Sequence, residues 1–524
     1  MRPLFTIGLA LLLAGVVPAA HGAAESRTLL ILPFENASKA PGLEWIGESF
    51  PEVLGNRMES ARLYVVPRQD RLYAFDRAGI PGNLRPSHAT LFRIGEELDV
   101  DFMILGRYTF DGQSFQAEVQ LLDVKGLRLS APRQEGGPLT SLFEIEAALA
   151  WDLLRTLEPE YSENRADFLA SSPPAPLDAF EDYIRGITAA SRAEKIRKLR
   201  EALRVSPNYT PAMMQLGETY FAAREYEAAA GWFTRIPRSG PVGREASFYA
   251  GLSYYLVGEF EKAESAFASL AALFPLTEVS NNLGAAEARR GKLPKAVEDF
   301  RKSVQADEND PDYHFNLGLA LYKQGEVNGA QEQWREVLKL HPGDSEAKTL
   351  LELAGSRADS GTRPRLPLER IKRNYDETSF RELELEIWKA NEARMANSDP
   401  HTHAAYHVEH GSGLLRQGFP GEAGKDFREA VTLDPGNAAA HAGLAAVLEA
   451  ENDLPSARQE AAEALRLQPS AAVYLLLARL DLQENRAEAA QGNLDHALEL
   501  EPANPEAAAL KRTIAEKLAE KAKP

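Results

Sequence analysis

Residues 283–318 read LGAAEARRGKLPKAVEDFRKSVQADENDPDYHFNLG, and the stretch begins and ends on the same leucine–glycine pair. Similar pairs recur upstream, so that successive glycines lie 34, 33 and 34 residues apart, at Gly217, Gly251, Gly284 and Gly318. Each pair is followed by a small residue and, four positions later, by a large aromatic one: Ala229 and Phe233, Ala263 and Phe267, Ala296 and Phe300, Ala330 and Trp334. Self-similarity at one fixed period indicates a repeat architecture, in which each unit buries its apolar face only against its neighbours.

A second series follows with the same spacing. Its anchors are Gly411, Ala445 and Ala478, which lie 34 and 33 residues apart. The small residues of this series are Ala423, Ala457 and Ala490, and prolines at 435, 469 and 502 close its units. A more degenerate unit is expected to begin near Leu177.

The spacing and residue types of both series resemble the tetratricopeptide-repeat (TPR) consensus. The resemblance implies two antiparallel helices per unit, stacked into an all-α, right-handed solenoid. It also implies that the glycine and alanine let the helices approach closely, while the aromatic fills the space between them.

Residues 26–158 have a different pattern. Short apolar runs alternate with helical segments and end in a hairpin around Asp111-Gly112, which predicts a small α/β domain with a mixed sheet. The segments 31–36 (ILPFEN), 45–48 (WIGE), 94–98 (IGEEL) and 119–123 (VQLLD) resemble a TolB amino-terminal-type domain. That resemblance implies a role in assembly or interaction and brings no catalytic residue.

The sequence therefore predicts an α+β multidomain chain in which the small domain precedes the repeats. The expected divisions are a signal peptide at 1–22, the α/β domain at 26–158, a linker at 159–176, a first repeat array at 177–355, a linker at 356–367, a helical connector at 368–398, and a second array with a terminal cap helix at 399–524.

The beginning of the chain is typical of a signal peptide. Arg2 precedes an apolar run over 4–17, and small residues around Gly22 suit cleavage there. The alternative is a membrane anchor, but Pro18 and His21 interrupt the run, and the apolar part is shorter than the roughly 20 residues that a spanning helix needs. We expect export to the periplasm or beyond, without stable membrane insertion.

Composition excludes several classes of function. The chain has 59 Lys and Arg against 77 Asp and Glu, a formal charge of −18, which argues against nucleic acid and anionic membranes as partners. It has no cysteine, so disulfides, thiolate metal sites and cysteine nucleophiles are excluded.

Catalytic and metal-binding motifs are not favoured by the sequence. His403, His407 and His410 share a helix face, but His314 and His441 occupy the same repeat position as His407, which favours packing over metal binding. Zincin, nucleophile-elbow and phosphate-loop motifs do not occur. We expect no enzyme activity, no cofactor and no metal.

A groove lined by the first helix of each pair is the expected binding site. Residues seven apart share a helix face, and the predicted lining is Met214, Phe221, Phe248, Tyr255, Asn281, Asn282, Phe315, Asn316 and Tyr322. An apolar groove with a few amides suits an extended peptide or a helix of a partner protein. The predicted function is an interaction scaffold of the bacterial cell envelope, for assembly, secretion or transport complexes. A catalytic or ligand-binding site in the α/β domain, and self-assembly of the repeats, stay open as alternatives.

Overall fold

The structure is a computed structural model. It describes residues 27–38, 40–58, 63–80, 87–158, 161, 164–170, 175–238, 240–272, 274–355, 366–377, 394–395, 398–417 and 419–521. The expected signal peptide lies outside these residues.

A mixed sheet organises the amino-terminal domain. Its strands are β1 (Arg27–Ile31), β2 (Glu35–Asn36), β3 (Leu63–Val65), β4 (Phe102–Phe110), β5 (Phe115–Asp123), β6 (Arg128–Leu129) and β7 (Arg133–Gly137). Strand β1 pairs in parallel with β3 and β4, β2 pairs in parallel with β4, and β5 pairs antiparallel with β4, β6 and β7. The predicted α/β domain with a mixed sheet is confirmed.

Helices cover both faces of this sheet. They are α1 (Ile46–Met58), α2 (Arg68–Arg77), α3 (His88–Glu97) and α4 (Leu142–Leu157). Because strand side chains alternate between faces, Leu29 and Ile31 join the core with α1 and α4, whereas Leu30 and Leu32 join the core with α2 and α3. The domain is thus a three-layer sandwich.

The expected linker at 159–176 contains a short helix, α5 (Arg165–Ala170), whose Phe168 is buried. One continuous core then joins the α/β domain to the first repeats. Across this junction Tyr183 donates a hydrogen bond of 2.7 Å from its hydroxyl to Glu52. Burial raises the pKa of Glu52 above its ordinary value, with this hydrogen bond opposing the rise.

Helix pairs form the first array. Its helices are α6 (Leu177–Ile187), α7 (Arg192–Val205), α8 (Thr210–Ala222), α9 (Tyr226–Phe233), α10 (Gly240–Leu256), α11 (Phe260–Ala271), α12 (Thr277–Arg289), α13 (Leu293–Ala306), α14 (Pro311–Gln324), α15 (Val327–Leu340) and α16 (Ser345–Gly355). The degenerate unit expected near Leu177 is the pair α6 and α7.

The repeat glycines are required by close helix packing. A Cβ at Gly318 would lie 2.5 Å from the indole of Trp334, and one at Gly217 would lie 2.4 Å from the ring of Phe233. Both aromatic side chains are buried in the array. The repeat glycine and the aromatic therefore pack directly against each other, which explains why they recur together.

The second array has the same construction. Its helices are Pro400–Gln417, Pro420–Leu433, Ala438–Ala450, Leu454–Leu467, Ala471–Gln483 and Ala487–Leu500, followed by Pro505–Lys521. The predicted solenoid is confirmed. Among the described residues, no helix is both long and apolar enough to cross a membrane.

The connector differs from the prediction. Residues 368–398 were expected to be helical, but 366–376 form neither helix nor strand. We call residues 366–377 the inner segment, because they lie against the first array. The part of the connector around Trp388 lies outside the described residues.

Candidate functional site

The inner segment lies along the first helices of three successive pairs, α10, α12 and α14. It runs against the order of the repeats: Arg370 contacts α14, Asp376 contacts the start of α12, and Glu377 contacts α10. The surface of these helices that holds the segment is called the groove below.

Two asparagines of the groove each bind one residue of the segment through both of its backbone polar groups. Asn316 accepts a hydrogen bond from the backbone N–H of Arg370 and donates one to its carbonyl oxygen, both at 2.7 Å. Asn282 makes the same pair of bonds with Lys372, both at 2.8 Å. A side-chain amide has one acceptor and one donor group and so satisfies both polar groups of a backbone residue. Neither bond depends on the side chain of the bound residue.

A third amide fixes the first two. Asn281 donates to the carbonyl of Arg370 at 2.9 Å, and its own oxygen accepts from Asn316 at 2.8 Å. All three asparagines are fully buried. Buried amides without partners are costly, and the backbone of the inner segment supplies the partners that complete this network.

Acidic residues surround the guanidinium of Arg370. It forms two bonds with Asp344, of 2.7 and 3.0 Å, and further bonds with Asp312 and Glu346. It also lies over the ring of Phe315, 3.6 Å from the centroid. The hydrogen bonds from Arg370 hold the pKa of Asp344 below its ordinary value.

Lys372 extends the same electrostatic pattern. Its Nζ lies 2.6 Å from Asp310 and 2.8 Å from Asp312. It also lies 4.9 Å from the ring centroid of Tyr313. We call Asp310, Asp312, Asp344 and Glu346 the acidic wall. Two basic side chains, two positions apart, meet this wall together.

Acidic residues of the segment bind basic residues of the array at both ends. Glu369 accepts from Lys323 at 2.5 Å and from the hydroxyl of Tyr255 at 3.2 Å. At the other end Glu377 forms two bonds with Arg244, of 2.5 and 3.0 Å. The charged side chains of Glu369, Arg370, Lys372 and Glu377 thus each face residues of opposite charge in the array.

Six of the nine residues predicted to line the groove contact the inner segment. Four of them, the three asparagines and Phe315, are described above. Tyr255 binds Glu369, and Phe248 packs on Tyr375 with 5.3 Å between the ring centroids. The other three pack within the array: Met214 is in its core, Phe221 contacts Tyr249, and Tyr322 contacts Trp334.

Sequence reasoning missed the charged residues of the groove. A signal was present, because Glu245, Glu278 and Asp312 all lie six positions before a repeat glycine. Glu278 accepts from the backbone N–H of Asp376 at 2.8 Å, and Asp312 binds the side chains of Arg370 and Lys372. A recurring acid on one face of successive helices was therefore a marker of the site.

The sequence of the second array has neither the clamping asparagines nor the recurring acidic residue. The positions that correspond to Asn282 and Asn316, two before each anchor, carry Glu409, Gly443 and Leu476. The positions of the recurring acid carry Ala405, Ala439 and Ala472. The backbone clamp therefore belongs to the first array.

The repeated histidines join the two helices of their own unit. His314, His407 and His441 each bond through Nδ1 to the residue 19 positions later, namely Gln333, Asp426 and Glu460. His410 shares Asp426 with His407. One common role at one repeat position supports the packing interpretation, and no cluster of three or more candidate metal ligands occurs in the described part of the chain.

Comparisons with known families and structures agree on the repeats. Tetratricopeptide-repeat models match residues 196–244, 245–277, 311–344 and 414–480, and a TPR-repeat model matches 284–325. No curated protein matches the chain.

Two of the three similar solved structures reported below are described as TPR proteins. YrrB, described as a TPR protein with an unusual peptide-binding site, is 18% identical, with 34% of this chain and 92% of that chain covered and a TM-score of 0.31. MamA from Desulfovibrio magneticus RS-1 is 22% identical (34% and 99% covered, TM-score 0.30). A tetratricopeptide-repeat protein from Parabacteroides merdae is 11% identical (59% and 98% covered, TM-score 0.26). The family matches show that the chain carries tetratricopeptide repeats in both of its helical arrays, behind the small α/β domain.

Proposed function

We propose that this protein is a non-enzymatic interaction scaffold whose first array binds extended polypeptide by its backbone. The observation that carries the proposal is the pair of asparagine clamps, because they satisfy the N–H and C=O of alternate residues of a chain with no secondary structure of its own. The inner segment is, in this view, an example of the ligand that the groove accepts.

The geometry favours an extended ligand over a helix. A helix uses its own backbone N–H and C=O groups internally, so it could not complete the bonds that Asn282 and Asn316 make. An extended chain leaves those groups available to side chains. The groove therefore selects conformation first, and charge second.

We propose further that the protein works in the bacterial cell envelope after export. The apolar stretch over 4–17 behind Arg2 and the small residues around Gly22 support this compartment. Within the envelope, a chain with one peptide-binding array and a second array of different lining could hold two partners at once.

Binding in trans can be tested by emptying the groove. In a full-length variant, residues 366–377 are replaced by a glycine–serine sequence of the same length; we call it the open variant. The fluorescently labelled peptide LPLERIKRNYDE, which copies the inner segment, is then titrated against it. Fluorescence anisotropy should show saturable binding with one peptide per chain, because all groove residues remain in place.

Circular dichroism provides the control that the open variant keeps its helix content. If the open variant is folded but its binding does not saturate up to about 1 mM peptide, the proposed function is contradicted. That limit corresponds to a binding free energy of about 4 kcal/mol.

A further inference from the structure

We propose that the inner segment is a displaceable internal competitor, and that the partner replacing it is an extended segment with basic side chains two positions apart. The inference rests on the proposed function, since it concerns the regulation and selectivity of the same groove. It assigns a regulatory role to residues 366–377 and a charge pattern to the partner.

The segment is bound mainly through polar contacts and is only partly buried. Leu368 is 61% exposed, and Arg373 and Asn374 are exposed as well, whereas Glu369 and Glu377 at its two ends are buried. Water replaces these hydrogen bonds when the segment leaves the groove, so their net contribution to its binding is much smaller than their strength in isolation. A short stretch held in this way opens locally at a fraction of the free energy of global unfolding.

The array does not depend on the segment for its core. Phe267, Phe300 and Trp334 are fully buried between the array's own helices. Leu366, Ile371 and Tyr375 of the segment are only partly buried and pack against this cluster. The groove can therefore be vacated while the solenoid stays folded.

The acidic wall selects basic side chains in any segment that enters the empty groove. When Arg370 and Lys372 leave, four carboxylates face one another without these partners. Like charges at short range repel, and opposite charge relieves them. A basic residue at the position of Arg370 also gains the face of Phe315, as an arginine prefers. The net charge of −18 attracts such a partner from a distance.

The internal segment reduces the apparent affinity of the external one. If the groove is open for only a fraction of the time, the apparent dissociation constant is the intrinsic one divided by that fraction. Weakening the segment should therefore tighten binding in trans, although no residue of the groove has changed.

The experiment measures the affinity of the labelled peptide for four full-length proteins. These are the intact chain, Arg370→Ala/Lys372→Ala, the control Arg373→Ala/Asn374→Ala, and the open variant. We expect Arg370→Ala/Lys372→Ala to bind about 10- to 100-fold more tightly than the intact chain, and the open variant to bind most tightly. The control alters exposed residues of the same segment and should match the intact chain.

A second peptide, with alanine in place of Arg370 and Lys372, tests the charge pattern. It should bind the open variant at least about tenfold more weakly than the first peptide does. Equal binding of the two peptides would overturn the basic selectivity. Equal affinity for the intact chain and Arg370→Ala/Lys372→Ala, with firm binding to the open variant, would overturn internal competition alone. Absence of binding to the open variant is the separate result that removes the proposed function.

Discussion

Replacing Asn282 and Asn316 together by alanine should lower the affinity of the open variant for the labelled peptide about 100- to 1000-fold. The two side chains make four hydrogen bonds with the backbone of residues 370 and 372. At roughly 1 kcal/mol for each bond, their loss removes about 4 kcal/mol of binding free energy. Anisotropy titration gives the ratio of dissociation constants.

The matched control is Asn328→Ala, which removes an exposed amide on α15 of the same array. It should leave the affinity within about twofold. Because the clamps bind backbone, changing Ile371 of the peptide to another residue should cost far less than losing either asparagine. A double variant that binds as well as the open variant itself would refute backbone recognition.

Glu146→Gln should remove one large pH effect from the free energy of unfolding of the α/β domain. Glu146 is fully buried on α4, where its Oε1 accepts from the hydroxyl of Ser49 and its Oε2 has no hydrogen-bond partner among the described residues. Burial raises its pKa to about 8, despite the bond from Ser49. The carboxyl is therefore neutral in the folded protein at neutral pH.

The sign of the effect follows from this raised pKa. The carboxyl has its ordinary pKa of 4.5 in the unfolded chain, whereas in the folded chain it releases its proton only near pH 8. Its contribution to stability is thus fully present below pH 4.5 and is lost as the pH rises through about 8. The loss amounts to about 3 to 5 kcal/mol, because a difference of one between the folded and unfolded pKa corresponds to about 1.36 kcal/mol. Glutamine keeps the shape and an oxygen for Ser49 but does not titrate.

Urea denaturation at pH 5 and pH 9, followed through the tryptophans of the domain, measures the difference. We expect the free energy of unfolding of the variant, relative to that of the wild type, to be about 3 to 5 kcal/mol higher at pH 9 than at pH 5. Glu144→Gln, on the exposed side of the same helix, is the control and should follow the wild type. A parallel pH dependence of wild type and Glu146→Gln would show that Glu146 is not buried in this way.

The repeats and much of the groove could be predicted from the sequence. The glycine–aromatic pairs, such as Gly318 and Trp334, are local signals of a fixed period, and each marks one helix contact. Asn281, Asn282 and Asn316 followed from that register, because a helix places residues of known spacing on a known face. These predictions needed no knowledge of distant parts of the chain.

The occupant of the groove could not be predicted in the same way. The stretch 368–372 has a composition compatible with helix, yet it forms neither helix nor strand, and its backbone groups bond with residues far away in sequence. The partner of Lys372 is Asn282, 90 positions earlier. No periodicity in the segment reports such a contact, since tertiary contacts override weak local propensity.

The acidic wall was missed for a related reason. Asp310 and Asp312 lie at the start of α14, beside the turn that precedes it, and look like ordinary solvated residues. Their role appears only when Arg370 and Lys372 are placed beside them. The linker expected at 159–176 likewise does not keep the α/β domain apart from the repeats. Phe168 within it is buried, and Tyr183 of the first repeat helix binds Glu52 of the α/β domain.

Hydrogen exchange of the inner segment in the intact chain tests the central claim most directly. The backbone amides of Arg370, Lys372 and Asp376 donate to Asn316, Asn282 and Glu278, respectively. Mass spectrometry of a fragment covering 366–377 should show these amides exchanging at least about tenfold more slowly than in an unstructured peptide. The protection at Arg370 and Lys372 should disappear in Asn282→Ala/Asn316→Ala. Exchange at the unstructured rate in the intact chain would mean that the groove does not hold an extended backbone.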